Sequence, residues 1–288
     1  MLQQVTATDQ KRQKSSIKDG ALKAEVITIT PKLAEEWLGK NIKNRAISKR
    51  LVSAYARDMT AGYWRLTGEP ISFNKNGDMV NGQHRLLACI QALTPFTSLV
   101  VYGVGATASL VLDAGRSRRA GDILKMNGID NPVWLAAAAN WLMCIKSGSA
   151  RGQQFTRSET LACIEKHPIL GESAEQIASM IGGSGFIGPF PTLLVSIHYI
   201  GAVLQKEASQ AKQFVQVFAT GKPTYDGDAA HAWRERLIKM KMDGLRPPRS
   251  IQMPALIYAW NLFRTRKAAG NFAVPDEVRV EAVNYKKI

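Results

Sequence analysis

The spacing of hydrophobic positions changes several times between residues 25 and 105. The alternating apolar residues of "AEVITIT" fit a short strand. "TPKLAEEWLGK" and "SKRLVSAYARDMTAG" have helical spacing, and each follows a typical N-cap residue, Thr30 or Ser48. "ISF" and "MV" then predict two short strands joined through Asn76-Gly77, a strong hairpin signal. "SLVVYGV" is typical of a buried strand, so this region predicts a mixed α/β domain.

From about residue 118 onward the pattern is almost wholly helical, and Gly or Pro separates most of the segments. Seven segments have helical spacing: "SRRAGDILKMNG", "NPVWLAAAANWLMCIKSG", "SETLACIEKH", "FPTLLVSIHYIGAVLQK", "ASQAKQFVQVFATG", "AAHAWRERLIKMKMDG" and "IQMPALIYAWNLFRTRKAAG". We therefore expect an α+β protein with three parts. These are a flexible basic tail at 1–22, a mixed α/β domain at 23–120 and an all-helical domain at 121–288.

Bulk composition narrows the cellular setting. No apolar stretch approaches the roughly 20 residues that span a bilayer. The polar N-terminus lacks a signal-peptide apolar centre, so we expect a cytoplasmic protein. Cys89, Cys144 and Cys163 are far apart and form no CxxC pair, which predicts buried free thiols and neither zinc nor disulfides. His167, His198 and His231 lack partner spacing, so we expect them to be structural.

Charge changes the picture more than hydropathy does. Thirty-eight Lys and Arg against 23 Asp and Glu give a net charge of +15, which favours polyanions such as DNA. The densest run spans 234–267, where only Glu235 and Asp243 are acidic. We expect phosphate contacts from its nine basic residues: Arg234, Arg236, Lys239, Lys241, Arg246, Arg249, Arg264, Arg266 and Lys267.

Aromatic residues interleave with these cations and suggest base stacking at first sight. Trp233, Tyr258, Trp260 and Phe263 occur in the same run. Tyr258 with Leu262 keeps a helical core period, however, so burial is the stronger expectation for most of the aromatics.

The segment "VNGQHRL" at 80–86 places polar side chains where a predicted strand passes into a helix. A glycine allows a sharp turn, and the first helical turn carries unsatisfied N–H donors and a partial positive charge. The Arg85 guanidinium and a His84 ring N–H suit phosphate oxygens. An ordinary surface corner, with His84 and Arg85 bonded to nearby carbonyls, explains the same residues.

The longer segment "GEPISFNKNGDMVNGQHRLLACIQA" resembles the ParB/sulfiredoxin superfamily. It is most similar to ParB-like domain proteins of phages and plasmids, which share a "GEPI-F…G-(D/N)GQHRL-A" pattern. The corresponding corner reads "GERR" in ParB partition proteins, "GCHR" in sulfiredoxins and "GHHR" in related free-serine kinases, and it helps to bind nucleotide phosphates. The resemblance covers roughly residues 22–125. It implies a ParB/sulfiredoxin-like fold for the N-terminal domain.

The resemblance also implies roles for four residues of the corner. Gly82 would form the turn, His84 and Arg85 would bind phosphates, and Gln83 would add a polar contact. The implied cofactor is a nucleoside triphosphate, ATP or CTP, with Mg²⁺. Cys89 lies five residues past His84 and does not match the catalytic Cys of sulfiredoxins, so a reductase of that type is rejected.

Two carboxylates complete the candidate site. Glu69 precedes Pro70 where this superfamily gathers its nucleotide site, and it could act as a general base or a Mg²⁺ ligand. Its alternative is an exposed loop glutamate. Asp113, Gly115 and Arg116 in "LDAGRSRRAGDIL" are similar to a "D-G-x-R" step of the phage-type relatives. Asp113 could bind metal or orient Arg85 or Arg116, or it could only cap the following helix while Arg116 lies in solvent.

The leading hypothesis is a nucleotide-binding DNA-binding protein of phage or plasmid type, with NTP hydrolysis left open. One alternative is a metal-dependent ParB-like DNase that uses Glu69 and Asp113. Another is a small-molecule or nucleotide kinase of the same fold, and a third is an accessory protein that only binds proteins. We expect DNA and a nucleotide as partners, no membrane, and a location in the host cytoplasm if a phage encodes the chain. A homodimer is a further possibility that the sequence leaves open.

Overall fold

The computed structural model describes most of the chain in two compact units. Met1–Ser117 forms one unit and Arg118–Ile288 the other. The described residues are 22–41, 46–105, 119–148, 155–182, 186 and 188–288. The first unit is a mixed sheet with helices and the second is helical, which confirms the predicted α+β class. Of the predicted tail, only Leu22 lies inside the described residues.

Within its described residues, the N-terminal unit contains four strands and three helices. These are β1 (Lys23–Ile29), α1 (Pro31–Leu38), α2 (Lys49–Thr60), β2 (Ile71–Asn74), β3 (Met79–Asn81), α3 (Gln83–Ala92) and β4 (Phe96–Val104). The sheet order is β1-β4-β2-β3. Strand β4 pairs antiparallel with β1 and parallel with β2, while β2 and β3 form an antiparallel hairpin. The chain therefore leaves β3 at a sheet edge and enters α3 at once.

Local side-chain chemistry explains where these elements begin. The Thr30 hydroxyl accepts a hydrogen bond from the Leu33 N–H at 3.2 Å, and the Ser48 hydroxyl accepts from the Leu51 N–H at 3.3 Å. Both predicted N-caps are thus confirmed. In the hairpin, the Asn74 side-chain oxygen accepts from the N–H groups of Asn76 and Asp78. The predicted turn at Asn76-Gly77 is thus present between β2 and β3.

The helical unit contains eight α-helices within the described residues. They are α4 (Ala120–Met126), α5 (Pro132–Ser147), α6 (Arg157–Lys166), α7 (Leu170–Ile181), α8 (Pro191–Tyr199), α9 (Ala208–Thr220), α10 (Ala229–Met242) and α11 (Arg249–Arg264). Each of the seven predicted helical segments overlaps one of them. Helix α7 was not predicted, although its buried residues Leu170, Ala174 and Ile177 follow a helical period.

Aromatic packing organises the core of this unit. Trp260 and Phe214 are fully buried, and their ring centroids lie 5.3 Å apart in an edge-to-face arrangement. Phe263 packs on Phe214 with 5.2 Å between centroids. Trp233 is also buried, whereas Tyr258 is half-buried. The expected burial of these aromatics is confirmed, so they are not a stacking surface for bases.

A π-turn at Ile200–Leu204 continues helix α8 and depends on the same tryptophan. The N–H of Gln205 donates to the carbonyl of Ile200 at 2.9 Å, the five-residue spacing of a π-turn. A Cβ atom on Gly201 would lie 2.6 Å from Cζ2 of Trp260, so only glycine fits against that ring. The Trp260 indole N–H also donates to the Gln205 side-chain oxygen at 2.9 Å. Trp260 thus fixes the turn from two sides.

The segment that follows α11 packs onto the helical unit without forming a helix or strand. Phe272, Val280 and Ile288 are buried in the same core. The Asn261 side chain donates to the Arg279 carbonyl at 2.7 Å and accepts from the Glu281 N–H at 3.0 Å. These bonds satisfy backbone groups that no regular element pairs. Among the described residues, no helix is long and apolar enough to cross a membrane.

Substituting Gly201 with alanine tests the role of the π-turn. We expect Gly201→Ala to destabilise the protein by about 1–3 kcal/mol, because the added methyl overpacks against Trp260. Gly171→Ala is the matched control, since open space surrounds Gly171 at the start of α7. Urea denaturation followed by far-UV circular dichroism measures both. Equal stability of the two variants would contradict this account of the turn.

Candidate functional site

The corner between β3 and α3 is built around Gly82. This residue adopts φ 116° and ψ −6°, in the left-handed region that other residues avoid. A Cβ atom there would also lie 2.8 Å from Cγ1 of Ile71. Conformation and close packing thus both require glycine, in agreement with the predicted turn. Helix α3 then begins at Gln83 without a side-chain cap.

Two polar side chains of the first turn point into the protein rather than to solvent. His84 is buried, and its Nε2 accepts a hydrogen bond from the Ser48 N–H at 3.0 Å. An Nε2 atom that accepts carries no proton, so this nitrogen does not donate to a phosphate in this arrangement. Gln83 is buried as well, and its side-chain oxygen accepts from the Asn41 side chain at 3.1 Å. Both residues therefore tie α3 to neighbouring segments.

Arg85 binds the backbone that leads into strand β2. Its two terminal guanidinium nitrogens donate to the carbonyls of Glu69 and Pro70, each at 2.7 Å. The Asn81 side chain adds a third bond, to the Pro70 carbonyl at 3.3 Å. Arg85 thus occupies the arrangement that the surface-corner alternative describes. A phosphate at this position would compete with two carbonyl oxygens for the same guanidinium.

Glu69 contacts the Arg85 guanidinium with its backbone carbonyl and not with its carboxylate. Its side chain is exposed, and its carboxylate forms no hydrogen bond or ion pair within the described ranges. Asp113 and Arg116 lie outside the described residues, so their predicted roles at the corner are not placed. In the part of the chain that is described, no group of three or more His, Cys, Asp or Glu is arranged to hold a metal ion.

The three cysteines are buried free thiols, as the sequence predicts. The Cys89 thiol donates to the Thr94 carbonyl at 3.2 Å, and burial raises its pKa to about 11. Burial likewise raises the pKa of Cys163 to about 11. Both groups remain thiols at neutral pH, which suits buried packing and not nucleophilic chemistry.

The nine predicted DNA contacts do not form one uniform group. Arg264 forms a bidentate ion pair with Glu207 at 2.8 and 3.1 Å. Arg234 donates to the Phe218 carbonyl and to Glu235, and Arg236 donates to the Phe272 carbonyl. These three arginines stabilise the helical unit itself. Their long side chains cross from one element to another, which sequence spacing does not reveal.

The other six cations are exposed and lie at opposite ends of α11. The N–H of Ala269 donates to the Gly227 carbonyl, so the end of α11 lies near the start of α10 and the two helices are antiparallel. The 16 residues of α11 span about 24 Å. We name four of the cations the turn cluster: Lys239, Lys241, Arg246 and Arg249. Arg266 and Lys267 lie at the far end. The single patch expected from sequence is thus divided in two.

The turn cluster is strongly positive. Asp243 is the only acidic residue between Leu237 and Gln252. No hydrogen bond or ion pair holds Lys239, Lys241 or Arg246 among the described residues. The Arg249 guanidinium lies over the Trp141 ring at 4.7 Å and stays exposed. The cluster therefore presents its charges to solvent.

Comparison with known protein families, with curated proteins and with solved structures found no match to this chain. The resemblance to the ParB/sulfiredoxin superfamily therefore stays a prediction from the segment around residues 80–86.

Gly82 and Gly77 form a matched pair for testing the corner. Both have positive φ, but open space surrounds Gly77 while Ile71 contacts Gly82. We expect Gly77→Ala to cost about 1 kcal/mol from backbone strain and Gly82→Ala about 2–4 kcal/mol from strain plus overpacking. Urea denaturation provides both values. Losses of the same size would show that contact with Ile71 does not constrain the corner.

Proposed function

We propose that the chain is a DNA-binding protein that also binds a nucleoside triphosphate. The turn cluster carries the first half of this proposal: Lys239, Lys241, Arg246 and Arg249 are exposed together, with Asp243 as the sole nearby acid in sequence. Cations that are not neutralised by the protein release counterions from DNA when they contact phosphates. A chain of net charge +15 adds long-range attraction to the same polyanion.

Exposed apolar side chains next to the turn cluster favour DNA over a small anion as its ligand. Met242 and Leu245 are 82% and 59% exposed, and they lie between the cations in sequence. DNA offers sugar and base edges next to its phosphates, so apolar and cationic groups can contact it side by side. An anionic membrane presents a comparable combination of charge and apolar surface. The experiment below therefore includes both.

Two double variants test the DNA surface with equal loss of charge. We expect Lys241→Gln/Arg246→Gln to weaken binding of a labelled duplex by roughly tenfold and to reduce the salt slope by about two. Arg266→Gln/Lys267→Gln removes two charges at the far end of α11 and should change affinity much less. Fluorescence anisotropy across a salt series measures all three proteins.

The possible outcomes separate the alternatives. Equal weakening by the two pairs would indicate general charge attraction and reject the turn cluster as the DNA surface. Absence of duplex binding by the wild type would reject DNA as the partner. Sedimentation with phosphatidylserine vesicles supplies the second arm. Vesicle binding that is lost in the turn-cluster variant, without any DNA binding, would assign the cluster to membranes.

The second half of the proposal rests on the corner and on its resemblance to nucleotide-binding ParB-like domains. The Gly82 turn, the first turn of α3 and the Arg85 guanidinium lie together there. Binding requires the guanidinium to turn from, or share with, the carbonyls of Glu69 and Pro70. A nucleoside triphosphate with Mg²⁺ provides enough charge for that exchange, because charge-assisted bonds are among the strongest in proteins.

Calorimetric titration with ATP and with CTP, each with Mg²⁺, tests the nucleotide site. We expect one of the two to bind, and Arg85→Gln to weaken it at least tenfold, since bonds to phosphate are lost. Arg65→Gln is the control, because Arg65 is an exposed cation of the same unit that bonds only nearby carbonyls. Circular dichroism melting of Arg85→Gln checks the structural role separately. If neither nucleotide binds the wild type, Arg85 serves the fold alone.

A further inference from the structure

A further candidate site lies in the helical unit and shares no lining residue with the turn cluster. A cavity of about 600 Å³ lies between α7, α9 and the π-turn. Its volume falls within the range of small-molecule sites, roughly 300–1,000 Å³. Ser173 and His198 are its buried polar residues, Ala202 and Val203 are apolar, and Glu172 and Lys212 are exposed charges at its edge.

Ser173 and His198 form one buried hydrogen bond, whose direction depends on the histidine tautomer. Ser173 and His198 are 3% and 5% exposed, and Oγ of the serine lies 3.1 Å from Nδ1 of the histidine. The serine hydroxyl has no other partner within the described residues, and in one of the two neutral histidine tautomers it donates its proton to Nδ1. Nε2 then carries the ring proton. Burial lowers the pKa of His198, which keeps the ring neutral at pH 7.

The Nε2–H group has no acceptor among the residues that the structure describes. His198 makes one side-chain hydrogen bond, and that bond uses Nδ1. Nε2 is not fully enclosed, and His198 is one of the residues that line the cavity. An N–H group that is not enclosed bonds water or a ligand acceptor. The cavity thus presents a neutral donor that is complemented by a ligand acceptor.

The π-turn shapes the apolar part of this cavity. Trp260 contacts Gly201 on the core side of the turn, and the next two residues, Ala202 and Val203, line the cavity. Single π-turns inside helices often occur at functional sites. Here the turn supplies small apolar side chains next to the His198 donor. A ligand for this cavity therefore combines an acceptor group with an apolar body.

The charges at the edge of the cavity indicate which kind of acceptor group its ligand carries. Glu172 and Lys212 contribute one negative and one positive charge, so the cavity as a whole is balanced. This balance disfavours polyphosphates, and a neutral N–H donor disfavours amines. We propose that the cavity binds a small monocarboxylate with an apolar body, whose carboxylate accepts from His198 Nε2–H and is attracted by Lys212. This site is independent of the DNA and nucleotide sites.

The probe for the experiment is 4-phenylbutyrate, and the matched neutral compound is 4-phenylbutyramide. Titration into the full chain is followed by the imidazole NMR signals of the four histidines. We expect the His198 signals to shift, with a Kd of about 1 mM for a probe of this size. Signals of His231, which lies outside the cavity, should stay in place. Unmoved His198 signals, or equal binding of the amide, would overturn the proposal.

Two edge variants test the sign of the charge effect without touching buried residues. Lys212→Gln should weaken 4-phenylbutyrate binding by about two- to fivefold, because it removes an attractive exposed charge. Glu172→Gln should strengthen binding by a similar factor, since it removes a repulsive one. Both side chains are exposed, so neither change threatens folding. Weaker binding by Lys212→Gln together with stronger binding by Glu172→Gln supports a bound carboxylate. The reverse result, or unchanged affinity in both variants, rejects it.

Discussion

The contact between Gly82 and Ile71 is the constraint on which the N-terminal unit depends. Because Gly82 has no Cβ, strand β3 can turn directly into α3 while β2 stays packed beneath the turn. The same turn brings Arg85 to the carbonyls of residues 69–70 and His84 to the N–H of Ser48. Three segments that are distant in sequence therefore meet at one glycine. Their backbone polar groups are satisfied there by side chains instead of by a sheet.

This dual use of side chains couples folding to any function at the corner. Each bond from Arg85 to a carbonyl involves a charged donor and is worth about 1.5–3 kcal/mol. A phosphate gains the guanidinium only where its own charge exceeds that competition. The corner is thus both a structural joint and a candidate anion site. A variant of Arg85 changes both properties, which is why stability and binding have to be measured separately.

Sequence predicted what short-range chemistry determines. The caps at Thr30 and Ser48 and the Asn-Gly hairpin depend on neighbours within four residues, and all three are present. The partners of Arg85, the Ser173–His198 pair and the Gly201–Trp260 contact join residues that are 15 to 59 positions apart. No local pattern contains such pairs. His198 was expected to be structural for this reason, and its cavity became apparent only in the folded unit.

Helical periodicity sorts the segment at 234–267 into two populations. Residues on the inner faces of α10 and α11, such as Trp233 and Trp260, pack into the core, so the cations between them lie on outer faces or bind neighbouring carbonyls and Glu207. Antiparallel pairing then separates the exposed cations to the two ends. The far end lies near Asp226, whereas Asp243 is the one acidic residue in sequence between Leu237 and Gln252 at the turn end. Net charge alone therefore overstates the basic surface, and the pairing of two helices decides where positive potential accumulates.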